Sequence, residues 1–582
     1  NYIIQQFKAL TPYDCCKSCL ANKQCKAWNH QYANVTNGTE YVINDDPQCQ
    51  LFSRFKNDSS HIYNANCVYG VPYLNDNGEN KRPNMIFYYP DTIRMDALQI
   101  YGHPLKTTPN MAQFMSEPGA VQFNNHIAQH SQCTPSRTAM ITGRFMHTLG
   151  HRTQQHLTQY WEPNYFRWFK DNGYYVLWLG KNDALSKETF PLSANEWHNE
   201  IGVSMGPQPF PFGTAGYYSF FRDSTDTPGN STKNGDYAAI QSTEQFLKSN
   251  NYSPPQPFVI FIPGKGGHPP YGAPKGYYDK FSASEVENAG IQLRQPYPSG
   301  KPKFYNKNGG IPDYRNLTTL NESFFYQINA IYLGRMYYMD WLFGELWNSI
   351  KDFDSKTGTT TDFYMSSDHG DFQGDSKLVE KWPGSLDDML IRIPLVAKVG
   401  GSKINKGNTE IKMSTSSFDI FESMLDLANI SITWNRNGMS LREQLINGND
   451  GDLNHYVYSE GGFLPNNEVF PNGSDHINGG PTNDYYPRAQ EEMSDNGNGS
   501  PRCAAIRNTN YKLVFRPIGI SEFYDLQNDP KQLDNLYYNQ SIPNELKTIR
   551  QNMLFNLTAW YVQTADVTPI LMDPRGIPKL VP

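Results

Sequence analysis

The sequence carries little excess charge of either sign. Its 50 Lys and Arg against 57 Asp and Glu leave a net charge of −7 over 582 residues, so no polyanion-binding surface is built in and nucleic acid is not an expected partner. An uninterrupted apolar run of membrane length is also missing. The longest apolar stretch, Phe324 to Ile350, is broken by Asn329, Arg335, Asp340 and Glu345, which a bilayer core accepts only at high cost. It is expected to be a buried helix, and no transmembrane segment is expected. No basic stretch followed by an apolar one opens the chain, so an export signal is expected to have been removed. Cysteine is nearly absent beyond residue 70, where only Cys133 and Cys503 remain, so at most one disulfide can brace that large remainder. There is no internal repeat and no long low-complexity tract.

What is present is unevenly placed. Six cysteines (Cys15, Cys16, Cys19, Cys25, Cys49 and Cys67) crowd the first 70 residues, the mark of a disulfide-stapled module made in an oxidising compartment. Their pairing is open among 15 connectivities. Asn-x-Ser/Thr acceptors recur at Asn34, Asn37, Asn57, Asn230, Asn251, Asn316, Asn321, Asn429, Asn472, Asn498, Asn539 and Asn556, and with the cysteines they imply a secreted or lumenal protein bearing N-linked glycans.

The length suggests roughly two to four structural units. A cysteine-rich unit is expected over 1–75 and a polar, turn-rich linker over 76–82. From Pro83 short apolar runs (Asn84 to Tyr89, Tyr174 to Leu179, Phe258 to Ile262, Asp362 to Met365, Ile393 to Ala397) alternate with helical patterns (Thr138 to Thr142, Trp161 to Asp171, Phe324 to Ile350, Ser416 to Ala428). That alternation predicts a doubly wound α/β domain over 83–450 with a parallel sheet between helices. Over 451–582, short strands around Arg502 to Ile506, Tyr511 to Phe515 and Glu522 to Leu526, then a helix from Asn544 to Trp560, predict a small antiparallel sheet.

In an open parallel sheet, ligands bind beyond the carboxyl ends of the strands. Asp91, Lys181, His268 and Asp368-His369 each follow a predicted strand. Any one of them alone reads more simply as a cap or turn residue; four in one sheet point to a site. Asp91, Asp368 and His369 supply oxygen and nitrogen donors suited to a divalent cation in a cleft. Arg137, Lys181, His268 and Lys381 add donors suited to a tetrahedral anion, so an anionic ester is the implied ligand. Cys133 stands just before a helix pattern, with Pro135 as a first-turn proline and Arg137 one turn on. The two should share a helix face near an N-terminus that favours negative charge. On these residues alone Cys133 is equally a buried structural thiol or a partner for Cys503.

The string Cys133-Thr134-Pro135-Ser136-Arg137 resembles the maturation motif of the sulfatases of the alkaline phosphatase superfamily, in which the cysteine is oxidised to formylglycine. The likeness continues through Pro83 to Gly102, Thr138 to Arg144, Gly173 to Lys181, Pro257 to Pro270, Ser367 to Gly370, Lys381, Arg392 to Val396, Arg507 to Tyr511 and Tyr524 to Pro530. It implies that Asp91, Asp368 and His369 bind Ca²⁺ together with the modified Cys133, and that Arg137 holds the formylglycine hydrate. It further implies that Lys181, His268 and Lys381 bind the sulfate group and assist the departing oxygen. One hydroxyl of the hydrate would attack sulfur, and the other would later expel sulfate.

Two positions depart from the pattern. Thr92, expected in the metal site as a weaker, neutral oxygen donor, stands where many sulfatases carry a further acidic metal ligand, and Asn182-Asp183 stands where many place a histidine. The cysteine-rich start, with Asp14-Cys15-Cys16, Cys19, Cys25, Ala27-Trp28, Cys49 and Leu51, resembles an apple or PAN module, which implies a protein or glycan partner; a stapled cap supporting the hydrolase is the plain alternative. His103, His126, His130, His147 and His151 crowd the signature, but their spacing fits no metal site, and they are expected to be packing or surface residues. Cys503 is expected to be a buried free thiol. The expected activity is hydrolysis of sulfate esters, on sulfated glycans or small esters. A phosphonate or phosphate diester hydrolase and an inactive structural or adhesive glycoprotein are the alternatives.

Overall fold

Alternate residues of the first apolar run face opposite sides of one sheet, and both sides are buried. Met85 and Phe87 enter one hydrophobic cluster, Ile86 and Tyr88 another, as the two-residue period of a strand requires. The computed structural model describes residues 82–198, 206–224, 235–249, 257–291, 293–294, 296–463 and 500–566, with the strands β1 (Ile3–Lys8), β2 (Ala27–Thr36), β3 (Glu40–Phe52) and β4 (Cys67–Gly70) before them. These four form an antiparallel sheet in the order β1-β3-β2-β4. The cysteine pairing and the linker over 76–82 lie outside the described residues, apart from Arg82.

The central sheet contains β5 (Asn84–Tyr88), β6 (Ala120–Ile127), β7 (Tyr175–Leu179), β8 (Glu196–His198), β9 (Phe258–Ile262), β10 (Thr361–Ser366), β11 (Leu395–Lys398) and β12 (Thr409–Ser416). Their order is β12-β6-β11-β10-β5-β9-β7-β8. All neighbours are parallel except β11, which is antiparallel to both β10 and β6. The strand expected at Ile393 to Ala397 as comparable to the parallel ones is therefore antiparallel. Between Ser366 and Leu395 the chain forms only short helical turns, Asp375–Lys377 and Asp388–Ile391. No crossover helix returns it to the starting edge, so β11 runs back alongside β10.

β6 and β12 escaped the sequence reading because AVQFNNHI and TEIKMSTS are too polar to look like buried strands. Residues 409–412 of the edge strand β12 alternate buried and exposed, the pattern of a half-solvated edge. The helix expected from Trp161 starts at Tyr165, where Asn164 caps it by accepting from the Arg167 amide.

The long helix Glu322–Thr357 lines one face of the sheet with Leu333, Met336, Leu342 and Phe343. Its polar residues are in use: Asp340 accepts from the amides of Asn110 and Met111, and Arg335 donates to the carbonyl oxygens of His268, Pro270 and Gly272. Among the described residues no helix is long and apolar enough to cross a membrane.

A second antiparallel sheet, β13 (Val457–Gly461), β14 (Cys503–Arg507), β15 (Tyr511–Phe515) and β16 (Glu522–Asp525), is covered by the helix Asn544–Thr564. β13 was not foreseen. A buried charge network locks this sheet to the segment before β11: Lys301 pairs with Asp387 and Glu522, Arg516 with Glu522, and Lys512 and Arg507 with Asp388.

Glu460 at the end of β13 pairs with Arg152 and His147. Burial opposes its charge, yet Arg152 and His147 win, lowering its pKa from 4.5 to about 2. A depressed carboxylate contributes stability above its unfolded pKa and loses it as pH falls toward the folded value. Glu460→Gln should therefore cost about 3 kcal/mol of unfolding free energy at pH 7, with the gap to wild type closing as pH falls from about 4.5 toward 2. Urea melts of both proteins across that range check it.

Candidate active site

Four parallel strands, β5, β7, β9 and β10, end at one edge of the sheet, and β6 runs the same way. Their following loops deliver Asp91, Lys181, the turn Pro263 to His268, Asp368-His369 and, after β6, the helix Cys133–Thr142. The reversed β11 contributes from its other end, so that Lys381 and Arg392, which precede it, reach the same edge. The sequence placed Cys133 before the helix; it is the first helical residue, behind Gln132 in extended conformation.

Asp91, Cys133, Asp368 and His369 offer ligand atoms all within 4.8 Å of one another, and all four are buried. They are the one such group of His, Cys, Asp and Glu among the described residues. The Cys133 sulfur lies 3.1 Å from His369 Nε2 and 3.8 Å from Asp91 Oδ1. His369 Nδ1 is 2.8 Å from the Gly370 carbonyl oxygen; donating there, it leaves the Nε2 lone pair toward the carboxylates, the usual arrangement of a metal-binding imidazole. Arg137 donates from Nε to Asp368 Oδ2 at 2.8 Å and from Nη2 to Asp91 Oδ2 at 3.0 Å. Its Nη1 is buried with no hydrogen-bond partner among the described residues. Cys133 and Arg137 thus face one point, as the helical spacing predicts.

Lys181 Nζ reaches Asp91 Oδ2 at 2.6 Å. It also pairs with Asp183 at 2.5 Å, so the carboxylate at one of the two departing positions is bound to a cation. Lys381 Nζ lies 2.8 Å from His268 Nε2, and His268 Nδ1 lies 2.6 Å from the Pro269 carbonyl oxygen. Burial raises the cost of charge on Asp91, but Lys181 and then Arg137 hold its carboxyl well below the usual range. Burial, and then Lys381 and Lys181, push the His268 pKa well below its ordinary value, so its imidazole is neutral. Burial and then Asp91 raise the Cys133 thiol, against Lys181 and Lys381. As a plain cysteine it is a protonated thiol and a poor nucleophile.

Thr92 is fully buried and takes a left-handed backbone conformation, φ +59°, unfavourable for a β-branched residue. It is pinned from three sides. Its amide donates to Asp368 Oδ1 at 3.0 Å, its hydroxyl donates to Asp91 Oδ1, and its carbonyl accepts from Tyr332 Oη at 2.8 Å. Thr92 therefore orients both carboxylates. Ser136 Oγ similarly donates to the Asp368 carbonyl oxygen at 2.7 Å. Tyr332 and Ser136 were not singled out from the sequence; Ser136 stood inside the motif, whereas Tyr332 is one aromatic among many in an apolar helix.

The other histidines are held elsewhere: His126 by Thr415, His147 by Glu460 and Thr564, and His151 by Glu162. Cys133 and Cys503 are both free and buried, which removes the disulfide between them.

The sequence model of the Sulfatase family matches residues 83–430, more than half of the chain. The chain belongs to the sulfatase family. A PAN domain model matches residues 2–52. Curated relatives of this sulfatase include arylsulfatase K of Danio rerio, 26% identical over 409 residues that cover 65% of this chain and 70% of that protein. The arylsulfatase of Clostridium perfringens is 21% identical over 82% of this chain and 94% of its own.

Among solved structures, the phosphonate monoester hydrolase of Agrobacterium radiobacter superposes with a TM-score of 0.62 at 17% identity, covering 83% of this chain and 96% of that one. A 2-O GAG sulfatase superposes at 0.58 with 16% identity, covering 83% and 92%. At such identities the structures establish the shared fold. The family match and the arylsulfatase relatives make this sulfatase a sulfuric ester hydrolase.

Proposed function

We propose that this sulfatase uses a formylglycine made from Cys133 and one Ca²⁺ ion to hydrolyse sulfated glycans or small sulfate esters. The observation that carries the reading is the convergence on the Cys133 side chain of the Asp91, Asp368 and His369 ligand atoms with Arg137. The donor set fits a hard divalent cation, with two carboxylates and one oriented imidazole at mutual ligand distances. Asp91, Asp368, His369 and residue 133 would hold the ion, with Thr92 fixing the two carboxylates. When bound, the ion and the aldehyde hydrate supply an acidified hydroxyl as nucleophile toward sulfur.

The chain's own side chains do the rest. Arg137 orients residue 133 through its unpartnered Nη1. Lys181 offers its ammonium to the sulfate oxygens. Lys381 and His268, in mutual contact, sit where the ester oxygen departs, and the Lys381 ammonium is the proton donor that neutralises it, with His268 as its partner. The burial of Asp91, Arg137, Asp368, His369 and Lys381 strengthens these contacts.

The division into a PAN-like unit over 1–75, a catalytic unit over 83–450 and a closing unit over 451–582 belongs to this proposal, as does location outside the cell or in the lumen of the secretory or lysosomal pathway. The exposure of Asn316, Asn321, Asn429 and Asn539 supports N-linked glycans there. The PAN-like unit would recruit a protein or glycan partner.

The test compares an aryl sulfate with an aryl phosphonate monoester. Aryl sulfate should be the faster substrate, with turnover lost on chelation and restored by Ca²⁺. Faster phosphonate turnover would replace the assigned substrate class, and full activity after exhaustive chelation would remove the metal.

A further inference from the structure

The turn Pro263-Gly264-Lys265-Gly266-Gly267-His268 joins β9 to the site, and it is fixed on both sides. The amides of Lys265 and Gly266 donate to the two oxygens of Asp236, at 2.7 and 3.0 Å. On the other side the Gly267 amide donates to the Asp91 carbonyl at 2.8 Å. A Cβ at Gly266 would collide with the Asp91 backbone, and one at Gly267 with the Thr92 carbonyl. Both positions therefore need glycine, because the turn lies directly on the metal-binding loop. Lys265 immediately precedes them.

Lys265 is half-buried, and its ammonium lies within electrostatic reach of Lys181, Asp91, Arg335 and His268. Asp236 and Asp91 are the carboxylates within its reach, and neither forms a contact ion pair with it. Asp236, the near carboxylate, already accepts the two turn amides. Arg335 is buried behind the turn, with its Nε and Nη2 unpartnered among the described residues and its Nη1 on the turn's carbonyl oxygens. Neither Lys265 nor Arg335 forms a contact ion pair among the described residues. Lys181, by contrast, is held by Asp91 and Asp183. Burial, and then Arg335 and Lys181, lower the Lys265 pKa from 10.5 to about 8, against Asp236 and Asp91.

We propose that Lys265 is a specificity-determining residue that selects sulfate esters carrying a second anionic group, a carboxylate or another sulfate, beside the ester that is cleaved. The inference rests on the sulfatase reading above and adds to it. Lys181 takes the sulfate oxygens, Lys381 and His268 the departing oxygen and Arg137 residue 133, so an unpaired ammonium one turn from His268 is left for a neighbouring part of the substrate. Arg335 adds charge from behind without touching the ligand, and the Asp236 clamp keeps the turn from moving when the anion arrives. A pre-positioned cation loses little freedom on binding, which favours selectivity.

The test uses the intact, Ca²⁺-loaded protein and phenyl sulfate against its ortho-, meta- and para-carboxyphenyl sulfate counterparts, which place a second anion at different distances. Wild type should turn over one or more of the carboxylated esters with higher kcat/KM than phenyl sulfate. Lys265→Met and Lys265→Gln should each reduce that ratio by about ten-fold or more, chiefly through KM, the size of one charge-assisted contact. Lys265→Arg should retain the ratio, and added salt should lower it in wild type. The proposal is overturned if the ratio is the same in Lys265→Met or Lys265→Gln as in wild type, or if wild type prefers phenyl sulfate to every carboxylated ester. Failure of wild type to cleave any of the esters would instead remove the sulfatase reading, and this inference with it.

Discussion

Cys133→Ala should abolish sulfate ester hydrolysis, lowering kcat/KM by about 10⁴-fold or more, the scale seen when an enzyme loses its nucleophile. The side chain at position 133 is the centre on which Asp91, His369 and Arg137 converge, and no neighbouring hydroxyl can replace it. Thr134 Oγ1 faces the Gln154 carbonyl, and Ser136 Oγ is engaged by the Asp368 carbonyl. The loss should be chemical rather than structural. Removing one buried sulfur costs roughly 1–2 kcal/mol by analogy with small core truncations, so the melting curve should shift by a few degrees at most while activity vanishes. Cys133→Ser should be as inactive as Cys133→Ala if the working group is an aldehyde hydrate, because serine is not converted by the same thiol oxidation. Appreciable activity in either variant would show that the nucleophile lies elsewhere.

Asp91→Asn carries the second large expected effect. Its carboxylate serves four partners at once: Oδ1 faces the Cys133 sulfur and takes the Thr92 hydroxyl, and Oδ2 takes both Lys181 and Arg137. Replacing it with an amide removes the charge that holds two buried cations. Breaking a buried pair on one side costs about 3–5 kcal/mol because the remaining charge stays desolvated. Metal content measured by inductively coupled plasma mass spectrometry should fall from stoichiometric to near zero, with kcat/KM lower by about 10³-fold or more. Retained stoichiometric metal in folded Asp91→Asn protein would contradict the assigned ligand set.

The site was more legible in the sequence than the sheet around it. Cys133 and Arg137 are four residues apart on one helix, so a local pattern was enough to place them together. Asp91, Lys181, His268 and Asp368 each follow a short, largely apolar strand, which a two-residue period or an apolar run reveals directly. The direction of β11 was hidden, because strand direction depends on what the intervening chain builds, and residues 367–394 build no crossover helix. β6 and β12 were hidden by their polar residues. The left-handed turn at Thr92 was also invisible, since nothing local favours it; tertiary contacts from Asp368 and Tyr332 impose it. Thr92 and Asp183, which looked like departures that could weaken the site, have defined partners in the fold. Thr92 orients two carboxylates and Asp183 pairs with Lys181.

The most direct test of the central claim is mass spectrometry of the tryptic peptide ending at Arg137, taken from protein made in a cell that contains the maturation enzyme. The account predicts that residue 133 appears as formylglycine, lighter than cysteine by the exchange of sulfur for oxygen and the loss of two hydrogens. Unmodified cysteine at position 133 throughout catalytically active protein would contradict it.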